Sequence, residues 1–430
     1  MNRTNIPTNA PLVPAETPQK GFELFIGELT KKFSFLKEKE MKYFIFTIFL
    51  DGLAYSIMYP IRSIYIKSFG IDLLQLGILF SVFVGVRLIL DSPFGTLCDY
   101  LPKAKIITAS LMGKIFIYFL YTVTNNFNSF LILFVVNGVI DAAYMVSMWA
   151  YMTDALKKHK IGYTPISLFL MTPGLFGPYI GGFLGNINNI FAFYGSVAVG
   201  VLAMMVSFAI PKISNKNFTF EDGVREAVKG VYVDEAKSFM KSKKNVKIAS
   251  LIHFILSYDG FVYGSFLAVY LNSAFNLSEF WIGIFFVTVN ILTVVARVIE
   301  SLYFKKIIKK KTIFFVSVIT GLIYISMPLF KTVEFFASAM LFVSFLMYFI
   351  FPLSYTLFIK HLSRYNRGEV IGMNQTLSDA GGVSGNLIGG VLANMFGIPY
   401  AFLSVGVMYL IGAVASLGIE KSRWKMKKSR

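Results

Sequence analysis

The chain has 430 residues, 56% of them apolar and 17% aromatic, with a mean hydropathy of +0.64, which excludes a soluble globular protein. A net charge of +18 would suit a nucleic-acid binder only if the basic residues covered one soluble face, and they do not, so no nucleic-acid partner is expected. The single cysteine, Cys98, excludes an internal disulfide.

In chain order, residues 1–42 are polar, with no signal peptide. Within them Phe22, Phe25, Leu29, Phe33 and Leu36 recur at helical spacing among lysines, which predicts a helix lying on the membrane surface. Twelve apolar segments follow, near 43–66, 73–97, 105–124, 129–152, 163–185, 189–210, 247–271, 280–304, 312–330, 334–358, 369–393 and 397–419. Each has the length of about 20 residues that a helix needs to cross a bilayer. Lysines and arginines crowd both tails, the 211–246 loop and alternate short loops, whereas the six intervening loops hold only Lys67 and Lys331. By the positive-inside rule, both termini and the middle loop belong in the cytoplasm of a multi-pass protein of the cell membrane.

Ionisable side chains inside spans cost about 2.5–3.5 kcal/mol on insertion scales, so they face a cavity or a partner. The first span carries "DGLAY" (Asp51, Tyr55) and the seventh "DGFVY" (Asp259, Tyr263). Arg87 and Asp91, four apart on the second span, have the spacing of a helical ion pair, and so do Arg297 and Glu300 on the eighth, three apart. Lys114 on the third span can only snorkel or pair. Asn137 and Asp141 form a polar spot on the fourth span near Tyr144 and Trp149, and Asp379 lies inside the eleventh. The connector at 211–246 reads as short amphipathic helices of mixed charge.

The chain repeats itself. "DGLAY" at 51–55 returns as "DGFVY" at 259–263, and "GPYIGGFLGN" at 177–186 as "GNLIGGVLAN" at 385–394, both 208 residues later. "FGIDLLQLGILFSVF" at 69–83 matches "FNLSEFWIGIFFVTV" at 275–289 with an offset of 206. Two six-span halves of the same orientation follow, related by an axis along the membrane normal, with a cavity at their interface. The predicted fold is all-α, twelve transmembrane helices in two pseudo-symmetric bundles at 43–210 and 247–419, joined by 211–246 and ending in a basic tail at 420–430.

"SPFGTLCDYLPKAK" at 92–105 closes the second span with Gly95, Asp99, Lys103 and Lys105. In that pattern, and in the duplicated halves, the chain past residue 42 resembles the major facilitator superfamily. Tyr100 and Pro102 depart from the signature, where a basic residue and a glycine are usual. The resemblance implies a latch in which Asp99 meets the positive N-terminal end of the eleventh span, while Gly95 admits a neighbouring helix. It also implies that Asp51 and Asp259 lie on spans lining the cavity, and that Asp72 and Ser278 cap the second and eighth spans. Gly177, Pro178, Gly181 and Gly182 resemble the family's fifth-span signature, seen most often in exporters. These residues, with Gly385, Gly389 and Gly390 in the second copy, read as helix packing.

The expected function is secondary active transport of a small organic solute by alternating access, coupled to protons or sodium and directed toward efflux, by a monomer without a cofactor. Asp51, Asp259, Asp141, Asn137, Asp379, Tyr55 and Tyr263 are the candidates for coupling or solute contact. An uptake permease of the same fold, or a non-transporting receptor or scaffold, are the alternatives. Enzymatic function is not expected. "GVSG" at 382–385 has the form of an intramembrane serine protease motif, but its histidine base would have to follow it and none does.

Overall fold

Inside a bilayer every backbone N–H and C=O must find an internal partner, and this chain meets that demand with long helices. The computed structural model describes residues 38–159, 166, 169–211, 231–307, 310–362 and 367–420. Among the described residues run thirteen α-helices: α1 (Lys39–Lys67), α2 (Leu73–Tyr100), α3 (Lys103–Val123), α4 (Phe127–His159), α5 (Pro173–Ile187), α6 (Asn189–Ser207), α7 (Val231–Met240), α8 (Lys244–Phe275), α9 (Glu279–Ile307), α10 (Lys310–Ser326), α11 (Val333–His361), α12 (Arg367–Phe396) and α13 (Ile398–Leu417). The surface helix expected near Phe22–Leu36 and the basic tail from Lys421 lie outside the described residues.

Ten of the thirteen are long and apolar enough to cross a membrane. Two further expected spans correspond to α5, described over 15 residues only, and α12, whose glycines and polar residues lower its hydropathy. Helix α7 lies in the connector. The fold is all-α: α1–α6 pack as one bundle and α8–α13 as a second. The halves meet along α2 with α12 and along α5 with α9, with a smaller contact of α1 with α8. One face, here the near face, carries the start of α1, helix α7 and the end of α13; the other is the far face.

The duplication is visible in local geometry. On the far face α1 turns into α2 through Gly70 at φ +77°, and α8 into α9 through Asn276 at φ +53°. Both occupy the left-handed region that glycine enters freely and asparagine tolerates. Asp72 then caps α2 with a reciprocal box: the Gln75 N–H donates to Asp72 Oδ1 (2.7 Å), and the Asp72 N–H to Gln75 Oε1 (3.1 Å). Ser278 precedes α9, and its carbonyl accepts the Ile282 N–H (3.0 Å).

The same duplication builds the seam between the halves. A methyl group added to Gly77 of α2 would stand 2.9 Å from Gly390 Cα of α12, and one added to Gly283 of α9 would stand 2.9 Å from Gly182 Cα of α5. No real Cβ tolerates that distance to backbone, so glycine is required for the helices to touch. Gly77 and Gly283 are repeat mates, as are Gly182 and Gly390, and all four lie toward the far face. Ser81 strengthens the first crossing by donating its hydroxyl to the Val383 carbonyl (3.1 Å).

Candidate functional site

Between the halves lies a cavity of about 420 Å³, walled by α1, α5, α8, α9 and α11. Its lining includes six aromatic rings, Tyr55, Tyr59, Tyr263, Phe286, Tyr348 and Phe351, to which Ser56, Asn290 and Ser344 add polar groups. The rings fix one another: Tyr59 and Tyr263 both pack edge-on against Phe286, at 5.5 and 5.8 Å between centroids. Among the described residues, Asp259 is the one carboxylate in this wall, and none is a lysine or arginine.

The Asp259 side chain is fully buried. Its Oδ1 accepts the Tyr324 hydroxyl of α10 and its Oδ2 the Tyr409 hydroxyl of α13, each at 2.7 Å. Two such bonds to one acid, worth about 1.5–3 kcal/mol each when the acceptor is charged, turn the group away from Tyr263, the neighbour its sequence spacing favours. Asp259 therefore belongs to the cavity by position and to the outer helices of its bundle by bonding.

Asp51, the repeat mate, has a different partner. Lys114 Nζ lies 3.0 Å from Asp51 Oδ2 and 3.3 Å from Oδ1, 3.6 Å from Asp141 Oδ1, and 3.8 Å above the centre of the Tyr144 ring. Lys114 is buried and does not snorkel. Asp141 is shared in turn with Arg87 (3.4 Å), which also reaches Asp91 (3.5 Å). The chain of contacts is thus Asp51, Lys114, Asp141, Arg87, Asp91, spread over α1 to α4. Asp379, held by Gln375 (3.2 Å) on α12, acts electrostatically on Arg87 from the other half.

Other expected site residues are placed as follows. Asn137 is buried one turn from Asp141, while Trp149 is 45% exposed. Tyr55 lies in the cavity wall, with the Arg62 guanidinium 5.8 Å from its ring centre and 4.6 Å from that of Phe80. Lys103 pairs with Asp154 of α4, and Lys105 is exposed. A methyl group on Gly95 would meet only Val146, at an ordinary 3.9 Å. The close approach expected there is found instead at Gly138, whose added methyl would be 2.8 Å from Val86 Cβ. Gly177 and Gly181 admit the backbone of α1 at Ser56 and Ile57, and Gly385 that of α8 at Tyr258, while Gly389 packs on Phe266. Arg297 lies over Phe351 (5.9 Å). The side chains of Asp99 and Glu300 lie outside the described residues, and with them the expected latch and the second ion pair.

Sequence reasoning missed Lys114 as the hub of the network, and Tyr324 and Tyr409 as the partners of Asp259. A buried lysine on an otherwise apolar span was the only signal available for the first, and nothing in local spacing marks the other two.

Two repeated six-helix bundles closed over a central cavity define a membrane transporter fold. The sequence profile of the Major Facilitator Superfamily matches residues 44–386, and the chain belongs to that family. The chain is 24% identical over 395 residues to the quinolone resistance protein NorA of Staphylococcus aureus, covering 90% of this chain and 98% of that protein. It is 25% identical over 395 residues to multidrug resistance protein 2 of Bacillus subtilis, with 89% and 94% covered. Among solved structures it resembles a point mutant of the nucleoside transporter NupG, at a TM-score of 0.71 and 14% identity over 89% of this chain and 99% of that one. A bacterial homologue of the human lysosomal transporter Spinster, in an inward-facing and unoccupied conformation, gives a TM-score of 0.68 at 12% identity, with 89% and 98% covered.

Proposed function

We propose that this protein is a proton-driven secondary transporter that exports a small, partly apolar organic solute, cationic or neutral, by alternating access. The observation that carries the reading is the cavity wall, whose described residues put six aromatic rings around one carboxylate and include no basic side chain. Such a wall stacks planar apolar groups and favours a cation over an anion. The bundles at 43–210 and 247–419 would rock about the cavity, joined by 211–246, with the near face and both termini in the cytoplasm.

Proton coupling draws support from charge balance. Asp51, Asp91 and Asp141 share two cations, Lys114 and Arg87, and Asp379 adds a fourth carboxylate from the other half. A surplus of carboxylates on membrane-spanning helices offers a site where a coupling cation such as a proton can bind. The names of the two relatives, both resistance proteins, favour export over uptake.

The test is purified protein in liposomes with an imposed pH gradient and ethidium, a fluorescent aromatic monocation, as the probe. Accumulation that collapses with a protonophore supports the reading. Binding of ethidium without movement would favour a receptor, and movement that ignores the pH gradient would remove the proton from the scheme.

A further inference from the structure

Helix α2 contains a proline at position 93. Proline has no N–H, so the carbonyl of Ile89, four residues back, has lost the donor that a helix normally supplies. The missing donor comes from the connector: the Tyr232 hydroxyl of α7 lies 2.7 Å from the Ile89 carbonyl oxygen and 3.1 Å from that of Leu88. One turn along α7, the buried Glu235 accepts the Ser92 hydroxyl of α2 at 3.2 Å.

The other side of α7 belongs to the second half. The Glu235 carboxylate lies against Gly372 of α12, where any added methyl would strike it. Ser238 donates to Glu369 of α12, and Phe239 packs with Val246, Ala249, Phe358 and Val370. Lys247 closes the C-terminal end by donating to the Met240 carbonyl (2.7 Å). One carboxylate thus touches both α2 and α12, so a helix stands between them on the near face, while on the far face the same two helices touch backbone to backbone at Gly77 and Gly390.

We propose that α7 is a spacer between the halves: docked on the proline break of α2, it holds the near face apart, and its withdrawal from α2 is required for the near face to close and the far face to open. The proposal rests on the alternating-access reading above. A helix is about 10 Å across, so α2 and α12 cannot meet at Ser92 and Gly372 while α7 remains. Because α7 is anchored more fully on α8, α11 and α12, it travels with the second half, and the bonds that break are those of Tyr232 and Glu235 to α2.

The test reads access to the cavity and needs no solute. In a Cys98→Ser background, Val289→Cys places a thiol in the cavity wall, and a membrane-impermeant maleimide is applied to intact cells and to inverted membrane vesicles. Tyr232→Phe with Glu235→Ala should raise labelling from the far face at least threefold and lower it from the near face. Tyr232→Phe alone, which removes one oxygen atom, should move labelling the same way by a smaller factor and serves if the double variant does not reach the membrane. Unchanged labelling from both faces, or reduced labelling from the far face, overturns the proposal. Loss of ethidium movement in liposomes with a shift in labelling intact would count against the proposed function and leave the spacer standing.

Discussion

Lys114 stands to Asp51 as Tyr324 stands to Asp259. Lys114 follows its aspartate by 63 residues and Tyr324 by 65, on the third helix of each half, and each binds the aspartate of the repeated DGxxY segment. The halves have kept the acid and changed what neutralises it, an ammonium in the first half and a pair of phenols in the second.

That difference predicts unequal costs. Lys114→Met leaves Asp51 buried beside Asp141 with no cation, and breaking a buried pair this way costs about 3–5 kcal/mol. Thermal unfolding in detergent should show a large loss, most of it recovered by adding Asp51→Asn. A single variant that melts with the parent would show that the pair contributes nothing.

Asp259→Asn keeps an acceptor for one tyrosine and offers an N–H₂ donor to the other, so the fold should survive with a loss within about 1–2 kcal/mol. Removing the only carboxylate among the described residues of the wall should cut ethidium transport about tenfold while sparing a neutral aromatic probe. Equal loss for both probes would point to packing and not charge.

Asp379→Asn removes a carboxylate of the opposite half that acts electrostatically on Arg87 without pairing with it. Exchange of labelled for unlabelled probe without a gradient should persist, whereas accumulation driven by a pH gradient should fall at least fivefold. Both activities falling together would place Asp379 in solute binding or folding.

At the far-face seam, Gly77→Ala and Gly283→Ala each put a methyl against backbone that has no room, a clash costing about 1–3 kcal/mol. Closure should weaken, and labelling of Val289→Cys from the far face should rise in each variant and further in the double. Gly95→Ala, with only Val146 at 3.9 Å, should change nothing in the same assay.

The docking of α7 should depend on pH. Burial pushes the Glu235 carboxyl above the usual range; the Ser92 hydroxyl opposes that shift and the negative Glu369 adds to it. Tyr232, itself held up at about 12, also faces Glu235. A carboxyl raised in the docked state takes up a proton on docking. Docking is therefore strongest below the undocked value of Glu235 and weakens as pH rises through the docked one. The ratio of near-face to far-face labelling at each pH, which cancels the ionisation of the thiol itself, should be greatest in acid and decline with rising pH, a slope that Glu235→Gln should flatten.

Much of the fold was legible in the sequence, because bilayer thickness sets span length and the offsets near 208 residues fix two halves. The spans at 163–185 and 369–393 were legible as well, although α12 gives up hydropathy to glycines and polar residues that serve contact between helices. The site was less legible. Helical spacing brings Arg87 to Asp91, but the partners of Asp51 and Asp259 come from helices 63 to 150 residues away and depend on how each helix is rotated in its bundle. The glycine-rich copies were visible as packing segments, yet only coordinates pair Gly77 with Gly390 and Gly283 with Gly182. The role of α7 left no trace beyond amphipathic spacing, since a phenol completing a proline-broken helix 143 residues distant has no local signature.

The two glycine crossings give a mechanical element that is separable from the chemistry behind it. Both seams repeat the same geometry, while the aspartate that both halves retain is met by different partners in each. On such a scaffold a handful of interior side chains can be rewritten while the glycine crossings that join the halves stay untouched.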